Sequence, residues 1–219
     1  GVFNGALSSK TLWELSEKYR SSQQNKFGFH VFDSELDFRA VMSEMRQAEM
    51  DKYQQLKIQL DALSKMDNLT FVNGTAKLVD ANTVEVERVE GLPEQFKAKN
   101  IVLAVGSRPR YLPNLPIDEE TVMTSDGIAS LTEFPRSMVI VGAGVIGCEF
   151  ATIFSNFGRT KVYVIDKQNR ILPFEDKDIS SEISKNLEAN GVTIHHGSQL
   201  EDMKIVDGMV EYTIVNDKG

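Results

Sequence analysis

Residues 139–150 read VIVGAGVIGCEF, so Gly142, Gly144 and Gly147 stand in a Gly-x-Gly-x-x-Gly spacing directly after an apolar, β-branched run. Between a strand and a helix, that spacing does chemistry. The first glycine permits a sharp turn, the second lets a pyrophosphate approach the backbone, and the third lets the helix pack close to the strand. The phosphate then lies at the helix N-terminus, where free N–H groups and the helix dipole favour an anion. Asp166 closes the next apolar run, VYVID, 19 positions past Gly147. That distance suits the acid that accepts the hydroxyls of an adenosine ribose. A carboxylate there repels a 2′-phosphate and favours NAD(H) over NADP(H), with Lys167 and Arg170 softening the preference. A turn that binds nothing is the alternative. Cys148, inside the helix, reads as a small core residue, because no neighbour in the sequence lowers its pKa.

The elements that position these residues are legible around them. MVIVG is a strand, VIGCEFATIFSNFG a helix closed by Gly158, VYVID a strand, residues 176–190 a helix ending at Asn190-Gly191, and VTIHHG a further strand. His195 and His196, adjacent in that strand, face opposite ways and cannot line one pocket; they read as surface or core residues, and His30 has no motif around it. Upstream, Thr11 to Arg20 suggests a helix that Ser8 or Ser9 could cap. Residues 35–65 carry apolar positions at helical spacing and read as a long, amphipathic, largely solvated helix. Residues 69–103 break into short β-rich runs, a small antiparallel meander feeding a buried strand at Ile101–Val105. Pro109, Pro113 and Pro116 mark an extended connector and a boundary.

Composition narrows the class. The chain has 219 residues, 41% hydrophobic and 26% charged, values of an ordinary globular protein. Its net charge of −8 argues against nucleic acid or an anionic membrane as partner. No apolar run has membrane-spanning length and no signal peptide opens the chain. The single cysteine allows neither an internal disulfide nor a zinc knuckle and suits a reducing, cytoplasmic setting. No metal site is expected.

GALSSKT at 5–11, VLAVGSRP at 102–109 and the block from Val139 to Asp166 follow one another in that order. In this combination the chain resembles the flavin-dependent pyridine nucleotide-disulfide oxidoreductases, the family of dihydrolipoamide dehydrogenase and glutathione reductase. The resemblance implies FAD and NAD as cofactors and a small-molecule redox substrate. It implies an α/β fold of Rossmann-like parallel sheets with a small antiparallel meander. Residues 1–116 would be a partial FAD-binding domain, 117–136 a connector and 137–219 a partial NAD-binding domain. Lys10 matches the family lysine near the flavin ring and Glu149 the glutamate that pairs with it, both in a catalytic role. Gly106 and Ser107 match a turn beside FAD, where Val105 replaces the usual threonine; Arg108 reads as a solvated arginine, with a phosphate contact as the alternative. Val145 stands where some relatives carry a tyrosine over the flavin, which leaves the nicotinamide pocket less gated. The bland alternatives are an exposed helix-start lysine at Lys10 and a surface glutamate at Glu149.

The stretch GVFNGALSSK departs from the family's C-x-x-x-x-C-x-P-S-K: aligned on Lys10, the cysteine positions are Gly1 and Ala6 and the proline is Ser8. A one-residue gap would place the first cysteine just before this chain, but the second is absent either way. A paired disulfide within this chain therefore cannot store electrons. The soluble pyridine nucleotide transhydrogenases, whose glycine motif is similar, share this feature, so the resemblance implies hydride transfer between NAD(H) and FAD with another acceptor, such as a second pyridine nucleotide, a quinone or dioxygen. A non-catalytic nucleotide-binding or scaffold protein, and a disulfide reductase whose thiol lies outside this chain, are the alternatives. The chain begins with Gly rather than Met, and the resemblance implies that the first FAD-binding βαβ unit, the end of the NAD domain and a dimerisation domain lie beyond it. The full protein is then a homodimer, and this chain alone is expected neither to hold FAD tightly nor to turn over. Purification as a yellow protein with stoichiometric flavin and diaphorase activity would contradict that expectation.

Overall fold

The computed structural model describes residues 2–3, 5–24, 30–32, 34–66, 69–88, 90–112 and 115–216; Gly1 and Pro113, singled out above, lie outside them. In chain order the elements are α1 (Ala6–Gln23), α2 (Phe38–Leu63), β1 (Gly74–Leu78), β2 (Thr83–Arg88), β3 (Glu94–Lys97), a short 3-10 turn (Gly127–Ser130), β4 (Ser137–Val141), α3 (Val145–Phe157), β5 (Lys161–Ile165), α4 (Lys177–Ala189), β6 (Thr193–His195), β7 (Ser198–Val206) and β8 (Met209–Asn216). They form two compact units, one of residues 1–50 with 109–219 and one of residues 51–108. Among the described residues no helix is long and apolar enough to cross a membrane.

The larger unit is an α/β layer. β4, β5 and β6 lie side by side and parallel, with Ser137 opposite Lys161 and Tyr163 opposite Thr193. Parallel strands need crossover connections, and α3 and α4 supply them. The central strand β5 buries Val162, Val164 and Ile165, and α3 buries Ala151, Ile153, Phe154 and Phe157. Leu12 of α1 and Met42 and Met45 of α2 join the same core. Phe134 binds the layers by ring contacts, edge-on to Phe38 at 4.6 Å and tilted against Phe157 at 5.2 Å. α4 is capped by Asp176, whose carboxylate accepts the Asp178 N–H, and β7 and β8 pair as a hairpin through Asp207-Gly208. Aspartate-glycine between two alternating runs is a hairpin signal that the sequence reading passed over.

Three expectations are corrected here. α1 starts at Ala6, not Thr11, with Gly5 as its N-cap and no side-chain cap. Ser8 lies inside the helix and donates to Glu49 of α2, so it cannot cap. Ser8, Leu12 and Ser16 form the buried stripe of α1 at helical spacing. α2 is the long, amphipathic, largely solvated helix foreseen, with Met42, Met45 and Glu49 buried along one face. His195 is in β6, stacked on Tyr163, whereas His196 begins the following turn, so the two do not share a strand.

The smaller unit carries the expected antiparallel meander, in the order β1-β2-β3. Its hydrogen-bonded register runs from Gly74 opposite Arg88 to Thr83 opposite Lys97. The third correction falls at Ile101–Val105, expected as a buried strand. This run has no strand structure, and Val102 and Val105 are 89% and 88% exposed. Apolar, β-branched residues favour a strand only where a neighbouring strand takes their backbone and a packed face takes their side chains. No described residue does either.

Candidate functional site

The glycine turn is built from the backbone outward. β4 ends at Val141, and Gly142 turns the chain with φ +104°, a conformation that side chains rarely tolerate. Its N–H donates to the Ile165 carbonyl at 2.8 Å, tying the turn to β5. Ala143 is fully buried and held on both sides. Its N–H donates to Asp166 Oδ2 at 2.6 Å, and its carbonyl accepts the Leu172 N–H at 2.8 Å and the Cys148 thiol at 3.5 Å. Gly144 then caps α3, which has no side-chain cap, so no side chain takes the first N–H groups of the helix.

The three glycines differ in what a side chain would meet. A Cβ on Gly147 would lie 2.0 Å from the Gly142 carbonyl oxygen, so α3 sits on the turn itself. A Cβ on Gly142 or Gly144 would meet nothing within 4 Å. The outer face of the turn is therefore open where backbone donors point, the arrangement a pyrophosphate needs.

Asp166 is directed at the turn. Besides the Ala143 bond, its Oδ1 accepts the Gln168 N–H at 2.7 Å. Each carboxylate oxygen keeps a second acceptor site. Lys167 beside it is exposed. Arg170 is corrected: its guanidinium donates to the Glu175 carbonyl, the Pro173 carbonyl and the Ser180 hydroxyl, so it clips its own loop and is not the cation facing a ribose phosphate. Val145, the first residue of α3, is exposed.

Lys10 and Glu149, 139 positions apart, meet. Lys10 Nζ lies 2.5 Å from Glu149 Oε1, with the lysine side chain 61% exposed and the glutamate 14%. α1 and α3 are thus joined at their N-terminal ends. Gly106 and Ser107 lie in the smaller unit and are exposed there, Gly106 with φ +75° and open space around it. A cavity of about 500 Å³ lies at the other ends of the helices, lined by Tyr19, Arg20, Asn156, Arg159 and Asn190 among others. It is remote from the glycine turn. Among the described residues no group of acidic, histidine or cysteine side chains is arranged to hold a metal.

The profile of the family described as pyridine nucleotide-disulphide oxidoreductase matches residues 2–219. The chain belongs to the pyridine nucleotide-disulphide oxidoreductase family. Members of that family are FAD- and NAD(P)-dependent oxidoreductases. The chain is similar to dihydrolipoyl dehydrogenase of Bacillus subtilis (strain 168), 34% identical over 208 residues, 91% of this chain and 43% of that protein. It is similar to soluble pyridine nucleotide transhydrogenase of Yersinia enterocolitica, 39% identical over 139 residues, 63% of this chain and 30% of that protein. Among solved structures, LpdA from Mycobacterium tuberculosis superposes with a TM-score of 0.83 at 20% identity, over 97% of this chain and 46% of that one. The Cu(II) complex of a mutant HOCl-induced flavoprotein disulfide reductase, RclA from Escherichia coli, gives 0.73 at 25%, over 95% and 43%. This chain spans less than half the length of these relatives.

Within this pyridine nucleotide-disulphide oxidoreductase chain, Cys148 is free and buried. Burial first and the Asp166 carboxylate second push its thiol up from 9.0 to about 11. A protonated, covered thiol is neither nucleophile nor redox centre at neutral pH. Three partnerships escaped the sequence reading. Leu172 holds the Ala143 carbonyl from a φ of +47°, for which the sequence carries no signal. Asn156 of α3 pairs with Ser16 and Glu17 of α1, again without a local signal. Glu49 had one: it stands on the apolar stripe of Met42 and Met45.

Gly147→Ala is expected to destabilise the fold by about 1–3 kcal/mol, because a backbone carbonyl must move, whereas Gly144→Ala shifts stability by about 0.5 kcal/mol or less in urea denaturation. The raised Cys148 pKa makes the folded state bind that proton more tightly than the unfolded chain. Its contribution is whole below pH 9 and is lost as pH rises towards 11. Over that window the wild type should lose up to about 2 kcal/mol more than Cys148→Ala, read from denaturation midpoints.

Proposed function

We propose that this chain is the cofactor-handling part of an FAD-dependent oxidoreductase that moves hydride between NAD(H) and FAD, with a second pyridine nucleotide as terminal acceptor. One observation carries the reading: α3 begins uncapped over an open glycine turn, and the acid closing β5 is bound to that same turn. Gly142, Gly144 and the first amides of α3 would hold the pyrophosphate, Asp166 the adenosine ribose, and exposed Lys167 would adjust the preference for NAD over NADP. Lys10 and Glu149, with Gly106 and Ser107, would serve FAD. The bound nicotinamide and flavin would supply the redox chemistry itself.

The part left to the protein is electrostatic and positional. A cation beside a flavin favours the reduced, anionic ring, and Glu149 would pair with the Lys10 ammonium and offset part of its charge. An exposed Val145 leaves the approach to the turn uncovered. Against a disulfide mechanism inside this chain stand Ala6 at the second cysteine position and a single, buried, protonated Cys148. The similarity to a dihydrolipoyl dehydrogenase over 91% of the chain favours, as second reading, a disulfide reductase whose thiols lie outside it. For the whole protein we propose a cytoplasmic homodimer.

Titrating the chain with NADH and NADPH by nucleotide fluorescence should show NADH binding tighter, by roughly tenfold. Gly144→Ala should weaken NADH about tenfold or more while leaving the urea midpoint in place, since the added methyl occupies the space facing the ligand. Binding of neither nucleotide, or indifference to Gly144→Ala, would overturn the reading. In a flavin-loaded longer form, bleaching of the flavin band by NADH checks the hydride step.

A further inference from the structure

α1 and α3 are joined at two levels. At their N-terminal ends Lys10 pairs with Glu149. Seven residues further along each helix, the Asn156 amide donates from Nδ2 to Ser16 Oγ at 3.2 Å and to Glu17 Oε1 at 2.6 Å. Equal spacing on both helices means that they run in the same direction, with the two connections about 10 Å apart.

The two connections differ in kind. Lys10 is mostly exposed and Glu149 mostly buried, so the pair is solvated at its lysine end and holds that end weakly. Ser16 is fully buried and Asn156 is 6% exposed. The hydroxyl of Ser16 donates to the Trp13 carbonyl at 2.7 Å, which leaves its lone pair for the Asn156 amide. The amide orientation is fixed as well, because turning it over would set its oxygen against the Glu17 carboxylate. Asn156 Oδ1 itself has no partner among the described residues. Sliding α1 by one residue would move every side chain about 1.5 Å and 100°, leaving the buried Asn156 amide without its partners. The same turn would also lift Leu12 from the core, so the polar pair adds a directional penalty to the apolar one. A buried polar pair is the best-attested device for fixing helix register.

We propose that Asn156 is a positioning residue: it locks the register of α1 on α3 and thereby sets where the Lys10 ammonium stands relative to Glu149. The functional meaning of that placement rests on the flavin reading of Lys10 and Glu149 above; the geometry itself belongs to this chain.

The test is zero-length carbodiimide cross-linking of the chain without nucleotide, followed by mass spectrometry of the peptide bridging Lys10 to Glu149. The Lys18–Glu14 pair, 2.7 Å apart within α1, is the internal reference, because it is indifferent to register. Asn156→Leu and Asn156→Asp should each lower the ratio of the two products roughly fivefold, since a pair solvated at its lysine end holds that end weakly. Asn156→Asp combined with Glu17→Gln reverses donor and acceptor and should restore the ratio to within about twofold of wild type. A folded Asn156→Leu chain with an unchanged ratio would overturn the proposal. Should Asn156→Leu not fold, a double variant that fails to recover the ratio lost in Asn156→Asp would overturn it equally. Because no nucleotide is present, failure of the cofactor reading would leave this outcome untouched, and failure here would leave NADH binding untouched.

Discussion

The carbonyl of Gly142 under the backbone of Gly147 is the contact on which the larger unit depends. It lets α3 start directly on the turn that leaves β4, with no room for a single methyl between them. From that closeness the rest follows. Ala143 is buried, so its peptide N–H and carbonyl must find partners inside the protein, and they find Asp166 and Leu172. The turn, the end of β5 and the loop after it are therefore one piece, and the clip of Arg170 on Pro173, Glu175 and Ser180 extends that piece to the start of α4.

Asp166 thereby has two tasks. It braces the turn from below, and in the proposed reading its remaining lone pairs would serve a ribose. Cys148 lies under the same turn and tolerates the neighbouring carboxylate by staying protonated. The helix that carries these groups also carries Glu149 and Asn156, so the start of α1 is referred to the same frame as the glycine turn.

The βαβ unit was legible because its signals are local: the glycine spacing, the apolar runs, the cap at Gly158 and an acid at the right distance. The pairing of Lys10 with Glu149 came from family resemblance, since no periodicity connects residues 139 positions apart. What failed were readings whose deciding partner is distant or conditional. Ser8 looks like a cap until Glu49, 41 residues on, takes its hydroxyl. Ile101–Val105 looks like a buried strand because its composition is that of one, but burial is conferred by neighbours. Arg170 looks like a phosphate ligand because it follows an acid and a lysine, yet carbonyls three and five residues later claim it. Asn156 looks like any polar residue near a helix end, and only the packing of α1 against α3 gives it a role.

Side-by-side helices running the same way have one more effect. The macrodipoles of α1 and α3 point alike, so their positive poles emerge together at the end where Gly5 and Gly144 start them without side-chain caps. Such neighbours repel, and the Glu149 carboxylate near that end relieves part of the repulsion. These poles sit on a chain whose overall charge is −8. Salt screens the global field over about 8–10 Å, while the poles act within a helix turn of the surface. The field of the whole chain therefore acts at longer range than that of the two helix starts, which is felt only at contact.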